Sequence, residues 1–203
     1  VQILAHRKRG LPYTRHMPET RRVVAIINQK GGVGKTTTTA NLGAALARAG
    51  VRTCLVDLDP QAHLSLHLGV HPGPDDPTVY DMLLDESVTA IDAAVEVEPG
   101  LDLIPAETDL AAAETDLAAA PDRQSRLRHM LEKSGDRWDA ILIDCPPSLG
   151  VLTINALGAA TEVFVPMQAH FLALQGVGKL LETVGLVCAG INPSLQVSGI
   201  VLC

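Results

Sequence analysis

Cysteine is sparse in this 203-residue chain: Cys54, Cys145, Cys188 and Cys203 lie far apart, with no C-x-x-C pair. That spacing argues against a disulfide scaffold or a four-thiolate zinc site and makes a reducing cytosol the default compartment. No apolar run nears the roughly 18 residues that a membrane-spanning helix needs, so an integral helical membrane protein is excluded. Aromatic residues number only five, yet 47% of the chain is apolar and 19% charged, which excludes a wholly disordered chain. A chain of this length suits one domain, or one and a half, and buries about 70% of its unfolded surface.

Charge is unevenly distributed along the chain. Residues 1–22 hold six Lys/Arg against the single acid Glu19, so the other 181 residues hold a net −12 within the whole-chain −7. Composition therefore does not point to a nucleic-acid binder, although it leaves room for a local basic patch. The first sixteen residues have no periodicity and lack the apolar core of a secretory signal. Met17-Pro18-Glu19 leads straight into the first strand-like run. Residues 1–21 are accordingly expected to be a disordered basic leader of upstream or non-native sequence, the alternative being a basic arm that touches nucleic acid.

From Arg22 onward, short Val/Ile-rich runs alternate with helical segments. Strands are expected at Val23–Asn28, Arg52–Asp57, Leu101–Ile104, Ala140–Asp144, Val163–Pro166 and Val197–Leu202. Helices are expected at Thr36–Ala49, Thr78–Leu84, from Pro121-Asp122 to Ser134, at Thr153–Ala159 and at Leu172–Ala189, with a loop at His71–Pro77. Residues 107–120 repeat ETDLAAA twice; seven residues is nearly two helical turns, so one ordinary helix is expected, with Leu110 and Leu117 on one face and the acids on another. Strands separated by helices predict an α/β fold, a mostly parallel twisted sheet with helices on both faces. The last strand has no helix after it, so the sheet is expected to be incomplete at the C-terminus.

The most informative segment is Asn28-Gln29-Lys30-Gly31-Gly32-Val33-Gly34-Lys35-Thr36-Thr37, placed between a strand and a helix. That is the context of a phosphate-binding loop and predicts a P-loop NTPase. The glycines let the backbone curl so that successive N–H groups meet phosphate oxygens, and the helix N-terminus adds partial positive charge. Lys35 would neutralise the β- and γ-phosphates, and the Thr36 hydroxyl would ligate Mg2+. The standard G-x-x-x-x-G-K-[ST] pattern asks for glycine where this chain has Gln29. Lys30 followed by Gly-Gly-x-Gly-Lys-Thr instead resembles the deviant Walker A motif of the ParA/MinD family of ATPases.

Within that family the resemblance is closest to the ParA/Soj branch and runs from about Arg22 to Cys203. Leu152-Thr153-Ile154-Asn155-Ala156-Leu157, Val165-Pro166-Met167-Gln168 and Leu172-Ala173-Leu174-Gln175-Gly176 are similar to its later landmarks, with Gln175 where Glu is more usual. The resemblance implies that ATP is bound by Lys30, Gly31, Gly32, Val33, Gly34, Lys35, Thr36 and Thr37, and that Lys30 reaches the phosphates of a partner protomer in a nucleotide-sandwich dimer. It also implies an ATP-dependent homodimer, a ParB-like partner that stimulates hydrolysis, and contact with nonspecific DNA in the bacterial cytoplasm. Family members continue beyond the strand at which this chain stops. That further part usually contacts the adenine base, covers the sheet and carries much of the DNA-binding surface; a membrane-binding helix like that of MinD is not expected.

Two acidic motifs complete the pattern. Val56-Asp57-Leu58-Asp59-Pro60-Gln61 ends the second strand, and alternation aims both carboxylates to one side if the extended geometry persists. One would hold a water of the Mg2+ shell and the other would orient the attacking water; the resemblance assigns Asp57 to the metal and Asp59 to the water. Ala140-Ile141-Leu142-Ile143-Asp144 is the Walker B pattern, with Asp144 meeting Mg2+ through water near Thr36. Lys30, Lys35 and Asp59 are thus the expected catalytic residues, and Thr36, Asp57 and Asp144 the metal side.

His63, His67 and His71 fall at four-residue spacing, which suggests a metal site if all are helical; solvated histidines are the better reading because Pro72 and Gly73 follow His71. Cys145 reads as a small buried thiol. The leading function is a Mg·ATP-dependent partition switch for chromosome or plasmid DNA. The alternatives are a positioner of a protein cargo, a non-hydrolysing interaction module, and an electron-transfer ATPase like the nitrogenase iron protein. The last needs cysteines that bridge an iron–sulfur cluster, and the spacing here offers none. Protein purified without oxygen is expected to be colourless; a brown preparation with charge-transfer absorption would bring that class back.

Overall fold

In the computed structural model, residues 21–120, 122–168 and 173–203 are described. The expected leader falls outside them, Arg21 apart, as do Pro121 and Leu172. The chain runs through β1 (Arg22–Ile26), α1 (Lys35–Arg48), β2 (Thr53–Asp57), α2 (His63–His67), α3 (Val79–Leu84), β3 (Val95–Glu98) and β4 (Leu101–Ile104). It continues through α4 (Ala113–Asp116), α5 (Arg126–Lys133), β5 (Ala140–Asp144), α6 (Val151–Ala159), β6 (Glu162–Met167), α7 (Ala173–Gly190) and β7 (Gln196–Leu202). Seven strands form one sheet in the order β3-β4-β2-β5-β1-β6-β7. Every neighbouring pair is parallel except β3 with β4.

Strand alternation divides the core in two. Val23, Ala25 and Ile27 of the β1 segment, Cys54 and Val56 of β2, and Ile141 and Ile143 of β5 face α3, α5, α6 and α7. Val24, Ile26, Leu55 and Leu142 face the other way, towards Ala40 of α1 and Leu64 of α2. The expected helices on both faces are therefore present. Helix α1 lies very close to the sheet: a Cβ on Gly43 would meet Leu55 Cδ2 at 2.6 Å, so any larger residue would force Leu55 to move.

Three local expectations need correction. Residues 107–120 do not form one ordinary helix: 3-10 turns at Thr108–Ala112 and Leu117–Ala119 flank the short α4. Leu110, Ala113 and Leu117 nevertheless share the buried side, as the repeat's period required, and the acids stay outside. Such tight turns are common where a short helix has few packed residues to fix its pitch.

Helix α5 begins four residues later than Asp122, because Asn155 of α6 intervenes. Its amide donates to Arg123 O at 2.6 Å, and its Oδ1 accepts from Leu127 N at 3.1 Å, so a side chain from another helix caps α5. The antiparallel edge strand β3 was not anticipated. Its signal is the alternation Val95-Glu96-Val97-Glu98 before Pro99 and Gly100, a largely exposed strand followed by a turn.

At the N-terminal ends of β2 and β5, Arg52 Nε and Nη2 donate to Asp139 at 3.0 and 2.6 Å, and the Arg52 amide donates at 3.1 Å. This hydrogen-bonded arginine holds the Asp139 carboxyl below its usual 3.8. A lowered carboxyl contributes stability that is complete above about pH 4 and lost as the pH falls through the lowered value. Asp139→Asn is expected to melt slightly below wild type at pH 7, with the gap closing at pH 3. Thermal melts at the two pH values check this, and a gap that persists at pH 3 would contradict it.

Candidate functional site

The alternation that builds the core also aims the acids. Asp57 follows Leu55 on the α1 side of β2, and Asp144 follows Leu142 on the α1 side of β5. The ladder sets Asp57 opposite Asp144, and Ile26 of β1 opposite Asp144 on its other side. Both carboxylates end parallel strands, where an open α/β sheet leaves its ligand crevice.

From β1 the chain passes into the glycine loop and then into α1. Gly32 and Gly34 take φ of +71° and +89°, a left-handed backbone that other residues adopt only with strain. Gly34 caps α1, and its carbonyl accepts from Thr38 N at 2.8 Å. A Cβ on Gly31 or Gly32 would meet no atom within 4 Å, so the inside of the bend is open. Val33 is buried and anchors the loop, while Lys35 is only 9% exposed. Lys30 is exposed.

The loop is tied to the strand ends by side chains. Thr36 Oγ1 donates to Asp144 Oδ2 at 2.6 Å, and Thr39 Oγ1 lies 3.4 Å from Asp144 Oδ1. Asn28, also buried, accepts from Lys30 N at 3.0 Å and donates to Pro166 O at 2.7 Å, which fixes the start of the loop to β6. Gln168 Nε2 donates to Gly32 O at 3.3 Å.

Asp57 is fully buried. Its Oδ2 accepts from both the amide and the hydroxyl of Ser65 at 2.8 Å, and its Oδ1 accepts from Asp59 N at 3.3 Å. Asp59 in turn accepts from Gln61 N at 3.0 Å. A cleft of about 470 Å³ opens between the glycine loop and this turn, lined by Gly31, Lys35, Thr36, Thr37 and Asp59 among others, and also by Gln61, His63 and Pro147.

The structure thus brings the loop, Thr36 and Asp59 together at one cleft, with Asp144, bonded to Thr36, and Asp57 just behind its lining. Lys30 stands outside its lining. His63 and His67 bracket α2, His71 lies in the loop beyond, and among the described residues no group of three or more His, Cys, Asp or Glu could hold a metal ion. Cys145 is fully buried, as expected. Sequence reading missed Asn28, Ser65, Thr39, Gln61 and His63 at this site. Only Asn28 and Gln61 had a signal, because they flank the motifs.

Two buried carboxyls side by side carry an electrostatic cost. Burial, above all, pushes Asp144 up to about 7, with the charge of Asp57 adding to it and the Thr36 hydroxyl and Lys35 opposing it. Burial likewise raises Asp57, against the hydrogen bonds from Ser65. A hard divalent cation would relieve both, and a hydroxyl with one or two carboxylates, the other positions left to waters and phosphates, is the donor set that Mg2+ accepts. An open bend of amides, a buried lysine and these hard oxygens define a P-loop nucleoside triphosphatase site.

Comparison with known proteins narrows that class. A family model described as an AAA domain matches residues 21–197. The chromosome partitioning protein ParA of Caulobacter vibrioides is 50% identical over 184 residues, which cover 89% of this chain and 68% of that protein. The sporulation initiation inhibitor protein Soj of Bacillus subtilis is 48% identical over 182 residues, 89% of this chain and 72% of that one. A Mycobacterium smegmatis structure described as cobyrinic acid a,c-diamide synthase with bound ADP and magnesium superposes with a TM-score of 0.86 at 45% identity, covering 90% of this chain and 74% of that one. The chain belongs to the ParA/Soj family of partition ATPases. No described helix is long and apolar enough to cross a membrane.

The raised Asp144 makes a stability prediction. An acid whose folded value lies above its unfolded one favours the folded state most when protonated in both, so that contribution is lost as the pH rises from about 4 through about 7. Asp144→Asn removes the charge and keeps the shape. The ligand-free variant is expected to melt above wild type at pH 8 and to converge with it below pH 4. Each kcal/mol relieved raises the melting temperature by about 2–4 °C. A variant that melts lower at pH 8 would contradict this.

Proposed function

We propose that this chain is a Mg2+-dependent ATP-driven switch that partitions chromosomal or plasmid DNA in the bacterial cytoplasm, hydrolysing ATP slowly unless stimulated by a ParB-like partner. The observation that carries this reading is the 2.6 Å bond from Thr36 to Asp144, which joins the phosphate loop to the Walker B strand at the mouth of an open cleft. Partition proteins at 48–50% identity support it, as does a neighbour described with bound ADP and magnesium. That neighbour's description as an amide-forming synthase suggests another class, but the identity to ParA and Soj favours partition.

On this reading residues 22–203 act as one ATPase domain. The loop amides from Gly31 to Thr37 and the Lys35 ammonium hold the β- and γ-phosphates. Thr36 and Asp144, with Asp57 behind, hold Mg2+, which when bound draws charge from the phosphate oxygens. Asp59, which lines the cleft and is braced by the Gln61 amide, orients the attacking water. Lys30, exposed and outside the lining of its own cleft, reaches a second protomer's phosphates across an ATP-dependent homodimer. Nonspecific DNA binds the dimer, and hydrolysis releases it.

The test measures ATP turnover with and without DNA and a ParB-like protein, together with ATP affinity. Wild type is expected to bind Mg·ATP and to be stimulated. Lys30→Ala is expected to lose stimulated turnover while it keeps ATP binding; charges supplied in trans are worth about 10³–10⁵ in rate in other NTPases. Unchanged turnover in that variant would remove Lys30 from the mechanism. A wild type that binds no ATP in calorimetry would favour a non-hydrolysing interaction module.

A further inference from the structure

Ser65 has no place in the phosphate loop or in either acidic motif, yet it makes more polar contacts to the site than any of its neighbours on α2. It is 1% exposed. Its amide and hydroxyl both donate to Asp57 Oδ2 at 2.8 Å, and its hydroxyl oxygen accepts from Ala106 N at 3.0 Å, just beyond β4. One small side chain thereby connects the ends of two neighbouring strands, β2 and β4, through α2.

The geometry leaves Asp57 little freedom. With Oδ2 taken by two donors, the carboxylate plane is fixed, and Oδ1 points to the turn where it accepts from Asp59 N. The same turn runs through Asp59 and Gln61 into Ala62, whose φ of +51° is the only positive value among the described non-glycine residues. A left-handed alanine is strained and persists only where the surroundings impose it. Backbone bonds from Ala62 N to Asp59 O and from Leu66 N to Ala62 O hold it, and the bond from Ser65 to the buried Asp57 ties the helix that follows to the same turn. If α2 shifts, Asp57 and Asp59 must shift together.

We propose that Ser65 is a positioning residue: by clamping Asp57 to β4 it holds the metal-side and water-side carboxylates in one fixed relation. This rests on the ATPase reading above. Removing the hydroxyl strips one donor from Asp57 and leaves the Ala106 amide without its acceptor, while the Ser65 amide keeps its own bond. Mg2+ would then meet a carboxylate held by two backbone amides alone, and Asp59 a turn less firmly braced.

The experiment compares wild type, Ser65→Ala and Ser65→Thr by kcat, KM for ATP, the Mg2+ concentration for half-maximal turnover, and the Mg2+ dependence of ADP affinity in calorimetry. Ser65→Ala is expected to lose about 10–100-fold in kcat or Mg2+ affinity, the usual effect of removing a partner that orients a metal-side ligand, with KM for ATP little changed. Ser65→Thr, which restores the hydroxyl, is expected to recover most of that loss. If Ser65→Ala melts early, the near-isosteric Ser65→Cys takes its place in the comparison. Wild-type kcat and Mg2+ dependence in Ser65→Ala, or equal impairment of the alanine and threonine variants, would overturn the inference. A wild type that hydrolyses no ATP would overturn the proposed function and this inference with it, whereas normal wild-type turnover with an unaffected Ser65→Ala would overturn this inference alone.

Discussion

Two carboxylates buried opposite each other at the ends of adjacent parallel strands set the terms for the rest of this structure. Asp57 and Asp144 are partners in the β2–β5 ladder and are almost wholly removed from water. Neither charge would be tolerated there without donors, and two helices supply them. Helix α1 brings Lys35, Thr36 and Thr39, while α2 brings Ser65. Even so, Asp144 remains pushed up to about 7, so the donors offset the burial only in part. That residual strain is what a divalent cation would remove, and it makes the empty cleft less stable than a neutral one would be.

Topology explains why the acids and the loop meet. Strand β1 lies between β5 and β6, and its C-terminal end opens into the loop that becomes α1. Because α1 packs on the same face as Leu55 and Leu142, the N-terminus of α1 falls over Asp57 and Asp144, which share that face. The approach is close enough that any residue larger than Gly43 would force Leu55 to move. Asn28 then fastens the loop's first turn to Pro166 on the opposite neighbour, so the bend is held from both sides.

Much of this was legible from residues alone. The Val/Ile runs gave six of the seven strands, because buried parallel strands read as continuous apolar segments. The loop was legible because Gly32 and Gly34 need backbone angles that few other residues accept, and a lysine and threonine follow directly. Strand β3 escaped because a largely exposed edge strand has four residues and only two apolar side chains. The segment at residues 107–120 disclosed which face was buried but not its pitch, since Leu110 and Leu117 share a face in α and in mixed 3-10 geometry alike. Ser65 and Asn155 were illegible for another reason: each acts on backbone or carboxyl groups far away in sequence, at separations that no local pattern encodes.

The charge balance of the cleft bears on why such a protein would act in pairs. Among the described residues, Lys35 is the only permanent cation that lines it. Asp59 lines it too, and Asp57 and Asp144 lie just behind, so a single protomer with its Mg2+ undersupplies positive charge to a triphosphate. Lys30 cannot make up the difference at home, because its amide is tied to Asn28 and its side chain is exposed outside the cleft. On the proposed reading, a second copy that presents its own Lys30 corrects the deficit, and it does so in proportion to the charge of the γ-phosphate. Loss of that phosphate removes the main electrostatic reason for the two copies to stay together. On that reading, a surface lysine within the phosphate loop itself turns nucleotide state into assembly state.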